Sequence, residues 1–327
     1  MVRLPVAVVR MLAIGLLMAY VGPTAAQPDF PNRPIRIIVP YGPGISLDIM
    51  ARLIGPKLTE RWGQPVIVDN RPGGNTIIGT EALAKSRPDG HTILLTTTTH
   101  ILNALLLPSL PFDPIKDFAA VTSLATSELA LVVNASLPVQ DLQELISLAK
   151  SKPGQLNYGT NSAGGPTHLA GVLLGIRAGV KLQDVPYKGS AATIADLIGG
   201  QVQLSFQPPI SILPHIKNGR LKALAISGDT RSPLLPEVAT FMQAGLPGFD
   251  MKYWFGMLAP SATPKETVEK LSAELGRVML LPDIKESLLR QGIDVFVSTP
   301  DKFAEFMKAD LARQEEVVKA ANIKVKN

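Results

Sequence analysis

The chain has no cysteine in 327 residues. That absence removes disulfides, thiolate metal sites and thiol nucleophiles together. Aromatic residues make up only 5%, too few for a platform that stacks nucleic-acid bases. Lysine and arginine nowhere form a run. The formal charge is +5, but Arg3 and Arg10 lie near the start, and without them 30 basic residues face 27 acidic ones. Such a spread-out surplus describes a solvated surface better than a polyanion site, so no nucleic-acid partner is expected. Beyond the first 26 residues no apolar run approaches the roughly 18 residues that a membrane helix needs.

Catalytic and cofactor patterns are equally scarce. The histidines at 91, 100, 168 and 215 have no metal-ligand spacing. There is no Gly-x-Ser-x-Gly elbow and no Gly-Lys-Ser/Thr phosphate loop. Gly42-Pro43-Gly44 opens like a dinucleotide fingerprint, but Leu47 stands where its third glycine would be. No catalytic set, metal or cofactor is expected.

What is present begins with Met1–Ala26. Arg3 and Arg10 give a positive start, Met11–Val21 is an apolar run of 11 residues, and Pro23-Thr24-Ala25-Ala26 offers small residues before a cut. A run that short does not span a bilayer of about 30 Å. The expectation is a secretory signal cleaved near Ala26, placing the protein in the periplasm; the alternative is an uncleaved anchor.

The remaining length suits two domains. Residues 35–39 form a continuous apolar run, as in a strand buried on both faces. Tyr41-Gly42-Pro43-Gly44 is a turn, and Ser46 is placed to cap a helix carrying Ile49, Leu53 and Leu58. Gly63 ends that helix and 66–68 is a strand. The glycine loop 70–76 opens a helix over 77–85, and 92–96 is a third strand. Residues 123–128 read as a crossing segment. A second alternation follows: strand 129–133, helix 142–150, strand 156–158, helix 167–178, a strand ending at Tyr187, a helix bearing Ile194, Leu197 and Ile198, strand 202–206, helix 210–218 and strand 221–226. Then come strand 253–258, helices 265–280 and 282–291, strand 295–297 and helix 301–321. Strands and helices in such alternation predict doubly wound α/β sheets with helices on both faces. The expected division is 27–126 for one domain, 127–249 for the second, and 250–327 returning to the first.

Four loops lie between a strand and a helix: 41–48, 71–77, 159–168 and 187–190. In open α/β sheets such loops fall at the carboxyl ends of strands, where ligands bind. They are rich in Gly, Ser, Thr and Asn, which bring backbone N–H groups and small polar groups to a ligand. The candidates are Tyr41, Gly44, Ser46, Asp48, Asn75, Thr76, Asn161, Ser162, Thr167, His168, Tyr187, Lys188 and Gly189, with Thr97 at the end of the third strand and Gln207 at the end of 202–206. Asp48 is read either as a ligand or water contact, as an anchor for the turn, or as a helix-dipole partner. Lys188 could meet a carboxylate or face solvent. His168 could contact ligand, cap or pack.

Several segments together resemble the Bug receptors, the periplasmic solute-binding proteins of tripartite tricarboxylate transporters. They are Pro34-Ile35-Arg36-Ile37-Ile38-Val39-Pro40 with Gly44 and Asp48; Asn70-Arg71-Pro72-Gly73 with Gly79; Pro88-Asp89-Gly90; Tyr158-Gly159-Thr160 with His168-Leu169; Val185–Gln203; and Trp254–Pro260. The resemblance covers about residues 30–320. It implies a two-domain venus-flytrap receptor that closes on a small carboxylated or polar metabolite. Many members of that family serve no adjacent transporter and some act as sensors, so a membrane transporter or sensor subunit is a candidate partner; a monomer without enzyme activity is expected. The chain departs from the family's usual pattern at Ile45, where a glycine is common, at Asn75-Thr76 in place of bare glycines, and at Gln207, near a commonly acidic position. Two alternatives stay open: a cleft hydrolase or isomerase using Asp48, His168 and Lys188, and a sensor module that docks on a membrane partner when loaded.

Overall fold

Two β-sheets, each covered by helices, organise the chain in a computed structural model that describes residues 30–161, 165–187, 189–249, 251 and 253–321. The expected signal segment, Met1–Ala26, lies outside the described residues. The described residues from Arg33 onward form one compact unit.

The first sheet has β1 (Ile35–Val39), β2 (Val66–Asn70), β3 (Thr92–Thr97), β4 (Phe118–Ser127), β10 (Tyr253–Pro260) and β11 (Asp294–Val295), in the order β11-β4-β10-β3-β1-β2. The second has β5 (Ala130–Asn134), β6 (Asn157–Thr160), β7 (Gln183–Pro186), β8 (Leu204–Gln207) and β9 (Leu221–Ile226), in the order β7-β6-β8-β5-β9. Both are mixed. β1 pairs in parallel with β2 and β3, while β10 runs antiparallel between β3 and β4. β6 is parallel to β7 and β8, while β5 runs antiparallel between β8 and β9. Five strands of each sheet thus share one pattern: three parallel strands, one reversed strand, then one in the original sense; the first sheet adds the two-residue β11, antiparallel to β4. The sheets differ in where the central reversed strand comes from. In the second sheet β5 opens the segment; in the first β10 returns from residue 253 onward, after the whole second sheet.

Residues 123–128 are not a bare connector. Their greater part completes β4, whose ten residues run beside β10 before Glu128 and Leu129 lead into β5. A helix absent from the sequence reading, α3 (Thr99–Leu106), follows β3 directly. The other helices fall within a few residues of expectation: α1 (Ser46–Trp62), α2 (Ile77–Ala84), α4 (Leu142–Ser151), α5 (Pro166–Ala178), α6 (Ser190–Ile198), α7 (Pro209–Lys217), α8 (Lys265–Met279), α9 (Pro282–Leu289) and α10 (Pro300–Ala321).

β5 shows why its sequence is apolar without alternation. Successive side chains of a strand point to opposite faces. Leu131 and Val133 enter a core shared with Leu169, Leu173 and Phe206, while Ala130 and Val132 enter another with Ile194, Leu197 and Ile212. Helices cover both faces, so neither can be polar. α10 spans the two sheets. Phe303 and Met307 join the first sheet's core, and Val317 and Val318 join a core of the second. Its close approach needs Gly256, where a Cβ would sit 2.1 Å from the Phe303 ring. The buried Asp310 accepts the Trp254 indole N–H at 2.8 Å and pairs with Arg313.

Candidate functional site

Three helix N-termini line one cavity of about 350 Å³ between the sheets. Ser46 opens α1, Pro166 and Thr167 open α5, and Ile210 and Ser211 lie in the first turn of α7. The residues at the three N-cap positions, Ile45, Gly165 and Pro208, provide no side-chain cap. The aligned peptide dipoles favour negative charge at such ends, although Pro166 and Pro209 carry no N–H and the His168 and Ser211 N–H groups donate to the Gly165 and Pro208 carbonyls at 3.0 Å. Ser127, Tyr253, Phe255, Gln291 and Ile293 from the first sheet side, and Leu129, Asn161 and Pro208 from the second, complete the wall. None of the lining residues carries a formal charge. Larger cavities occur elsewhere on the molecule, but those two are each lined from the elements of one sheet.

Ser46 is the first helical residue rather than the cap, because Ile45 takes the cap position in an extended conformation. The turn is held by Asp48 instead. Its carboxylate accepts the Gly44 N–H at 2.9 Å and the Arg52 guanidinium at 2.9 and 3.0 Å. The Arg52 bond, and then the Gly44 N–H, hold the Asp48 carboxyl below the usual carboxylate range. Gly44 has φ +87°, a conformation that glycine adopts without strain. Asp48 is buried and does not line the cavity. Arg52 also donates to Asn70 Oδ1 at 3.0 Å, and Asn70 donates to the Tyr41 carbonyl at 3.1 Å. The Tyr41 hydroxyl lies 3.4 Å from Thr97 Oγ1, which also accepts the Thr99 N–H at 3.2 Å. Half-buried Tyr253 stands beside this group. Burial first, then the nearby Tyr41, push its phenol well above the usual range.

Asn75 and Thr76 both have positive φ, 51° and 78°. Left-handed backbone is uncommon for asparagine and a true outlier for a β-branched residue. Asn103 on α3 holds them there. Its amide donates to the Asn75 carbonyl at 2.7 Å and to Thr76 Oγ1 at 3.2 Å, and it accepts from Asn75 Nδ2 at 2.6 Å. Thus both side chains that replace glycines are spent on the loop itself.

In the second sheet, Gln207 and Asn161 face each other through paired amides at 2.9 and 3.2 Å. Ser190 Oγ donates to Gln207 Oε1 at 2.5 Å, and Gln207 Nε2 donates to Ser205 Oγ at 2.8 Å. Thr193 Oγ1 donates to Asn161 Oδ1, Thr167 Oγ1 accepts the Asn161 N–H, and the Gly189 N–H donates to the Asn161 carbonyl. Gln207 is buried and Asn161 half-buried, and both amides are hydrogen-bonded, which rigidifies the loop ends. Tyr187 turns away. Its hydroxyl donates to Asp196 at 2.7 Å, and burial with that carboxylate raises its phenol to about 12. His168 packs on the Tyr158 ring at 6.3 Å, with its Nε2 3.9 Å from Asp184. Burial lowers its pKa, against the pull of Asp184. Ser162 and Lys188 lie outside the described residues.

Of the candidates, then, Ser46, Asn161 and Thr167 line the cavity. Gly44, Asp48, Asn75, Thr76, Gly189 and Gln207 shape the loops around it, Tyr41 and Thr97 join the group at Tyr253, and His168 and Tyr187 face elsewhere. Sequence reasoning missed Ser127, Tyr253, Phe255, Ser211 and Gln291. The segment after strand 202–206 was the available signal for Ser211, since it is one more strand-to-helix loop.

The sequence model of the tripartite tricarboxylate transporter family receptor matches residues 50–323. The chain belongs to this family. Protein BugT of Bordetella pertussis is 35% identical over 97% of this chain and 99% of its own. Among solved structures, R. palustris Rpa4515 with adipate is 33% identical, with a TM-score of 0.76 over 90% of this chain and 99% of that one. MatC from Rhodopseudomonas palustris with bound malate is 31% identical, with a TM-score of 0.72 over 88% and 100%. As a member of the tripartite tricarboxylate transporter receptors, the chain is a solute-binding receptor with the periplasmic-binding-protein fold. The family is one of binders rather than enzymes. Among the described residues no helix is long and apolar enough to cross a membrane, and no group of three His, Asp or Glu side chains could hold a metal ion.

Proposed function

We propose that the protein captures a small dicarboxylate or related polar acid in the 350 Å³ cavity between its sheets. The observation that carries this reading is the convergence of three helix N-termini without side-chain caps on one uncharged wall. Each end contributes roughly half a positive charge, with N–H donors at the first-turn positions that proline does not occupy. A carboxylate can be held so without a formal salt bridge. The adipate and malate bound by the two related structures support the ligand class. The two sheets act as lobes that close on the solute, because the lining comes from both and a ligand touching both favours the closed form. The divisions 27–126, 127–249 and 250–327 describe those lobes, with hinges near 123–128 and 245–252.

The cavity binds rather than catalyses. Asp48 is committed to Gly44 and Arg52, and His168 to Tyr158, so neither offers a base to a bound solute. Export under the Met1–Ala26 signal, action as a monomer, and delivery to a membrane transporter or sensor subunit complete the reading.

Thermal unfolding against adipate, malate, aromatic acids and amino acids tests it. A ligand at a hundredfold excess over its Kd adds about 2.7 kcal/mol, so a clear rise in Tm with a dicarboxylate is expected. Ser46→Trp, at an exposed cavity-lining position, should abolish the rise. The reading fails if no acid shifts the midpoint and denatured protein releases no small acid on mass spectrometry.

A further inference from the structure

We propose a second small-molecule site, independent of the cleft, in the groove between α8 and α10, which takes an amphipathic monoanion: one carboxylate on an alkyl or aryl body. The groove encloses about 910 Å³, more than twice the cleft cavity and within the range of small-molecule sites. Both helices pack on β4, and the trough between them has an apolar floor. Phe118 and Ala120 of β4, Val268 of α8 and Met307 of α10 line it, all buried. Such a floor accepts hydrocarbon.

One end is polar. Thr263 lines the groove and is 7% exposed, yet its hydroxyl has no hydrogen-bond partner in the structure. A buried hydroxyl without a partner is unfavourable, and a ligand oxygen would supply one. Thr263 immediately precedes the Pro264 N-cap of α8, a helix of 15 residues whose first turn has no side-chain cap. The Thr263 hydroxyl and the α8 N-terminus therefore occur together, at one end of an apolar trough. The rim is charge-balanced: Lys116 pairs with Asp113 at 3.3 Å and Lys265 with Glu269 at 3.8 Å, and Lys308 and Asp301 complete it. The preference for one negative head group therefore rests on the single polar end at Thr263 and α8, and a second carboxylate would meet Glu269 and Asp301. The cleft wall, by contrast, carries no formal charge.

Isothermal titration of the full protein with octanoate and octylammonium separates the possibilities, because the two share a chain and differ in head-group sign. Octanoate should bind, and octylammonium should bind at least about tenfold more weakly. Ala304→Trp, which fills the groove from α10, should abolish octanoate binding. Lys265→Glu, an exposed change that leaves the core alone, should weaken it about fivefold. The cleft-blocking Ser46→Trp should leave octanoate binding unchanged while removing the response to dicarboxylates. Equal binding of both head groups, no binding of octanoate at millimolar concentration, or loss of octanoate binding in Ser46→Trp would each overturn the proposal. None of those results bears on whether dicarboxylates shift the melting of the unmodified protein, so the two readings fail separately.

Discussion

His100 is fully buried, stacked near Phe112 and meeting Phe118 edge-on at 4.9 Å. Its Nε2 lies 2.8 Å from the Pro114 carbonyl and donates to it. Burial lowers its pKa from 6.5 to about 4. In the unfolded chain the ring protonates first, so stability is fully present above pH 6.5. It falls as pH drops toward 4, by about 1.4 kcal/mol per pH unit. Urea unfolding at pH 6.5 and pH 5 should therefore differ by about 2 kcal/mol from this residue. His100→Gln, which keeps a donor for Pro114, should lose that part of the acid sensitivity. An unchanged pH slope in the variant would remove His100 as its source. Sequence inspection found His100 only as one of four scattered histidines. Its environment is assembled from segments twelve and more residues away, which no local pattern reports.

At the scale of elements, α3 is the clearest difference between sequence and structure. Thr96–Thr99 is a run of four threonines, and β-branched residues favour strands over helices. Tertiary packing overrides that preference, since Ile101 and Leu102 are buried in two different cores. The helix also brings Asn103 against the 71–77 loop. Asn103→Ala removes three hydrogen bonds from a buried amide and leaves Asn75 and Thr76 in left-handed conformations unsupported. A loss of about 2 kcal/mol is expected, measurable in denaturant, with faster amide exchange confined to the loop. Asn75 was legible as a departure from a glycine pattern; its partner was not, because the two are 28 positions apart.

For the whole molecule, one buried hydroxyl ties together both passages between the sheets. Ser227 Oγ accepts the Leu129 N–H at 2.9 Å and donates to the Met251 carbonyl at 2.9 Å. Leu129 lies where the chain leaves β4 for β5, and Met251 where it returns toward β10. The Ser227 N–H also donates to the Leu129 carbonyl. Ser227→Ala leaves a buried N–H and a buried carbonyl each short of one partner. We expect a cost of about 2 kcal/mol and, in solution scattering, a broader spread of dimensions without ligand. A variant with wild-type stability and scattering would show that the two passages do not depend on this bond. Ser227 follows the last residue of a correctly placed strand and shows no motif of its own.

The sequence alone determined the α/β class, most helix and strand positions, and the loops where a ligand would be sought. These depend on periodicity, on glycine and proline punctuation, and on apolar runs, all of which are local. The family resemblance, carried by several segments at once, matched the receptor family found by comparison. Tertiary structure decided which candidates face the cavity. Asp48, Asn75 and Gln207 looked like ligand contacts because they are polar and stand in or beside glycine-rich loops. Whether such a side chain serves a ligand or its own loop depends on partners brought in by folding: Arg52, Asn103 and Asn161. Tertiary structure also drew the last long strand of the first sheet from residue 253 onward, and placed Tyr253 and Phe255 at the cavity wall. Strand order is set by packing between distant segments, and no period in the sequence encodes it.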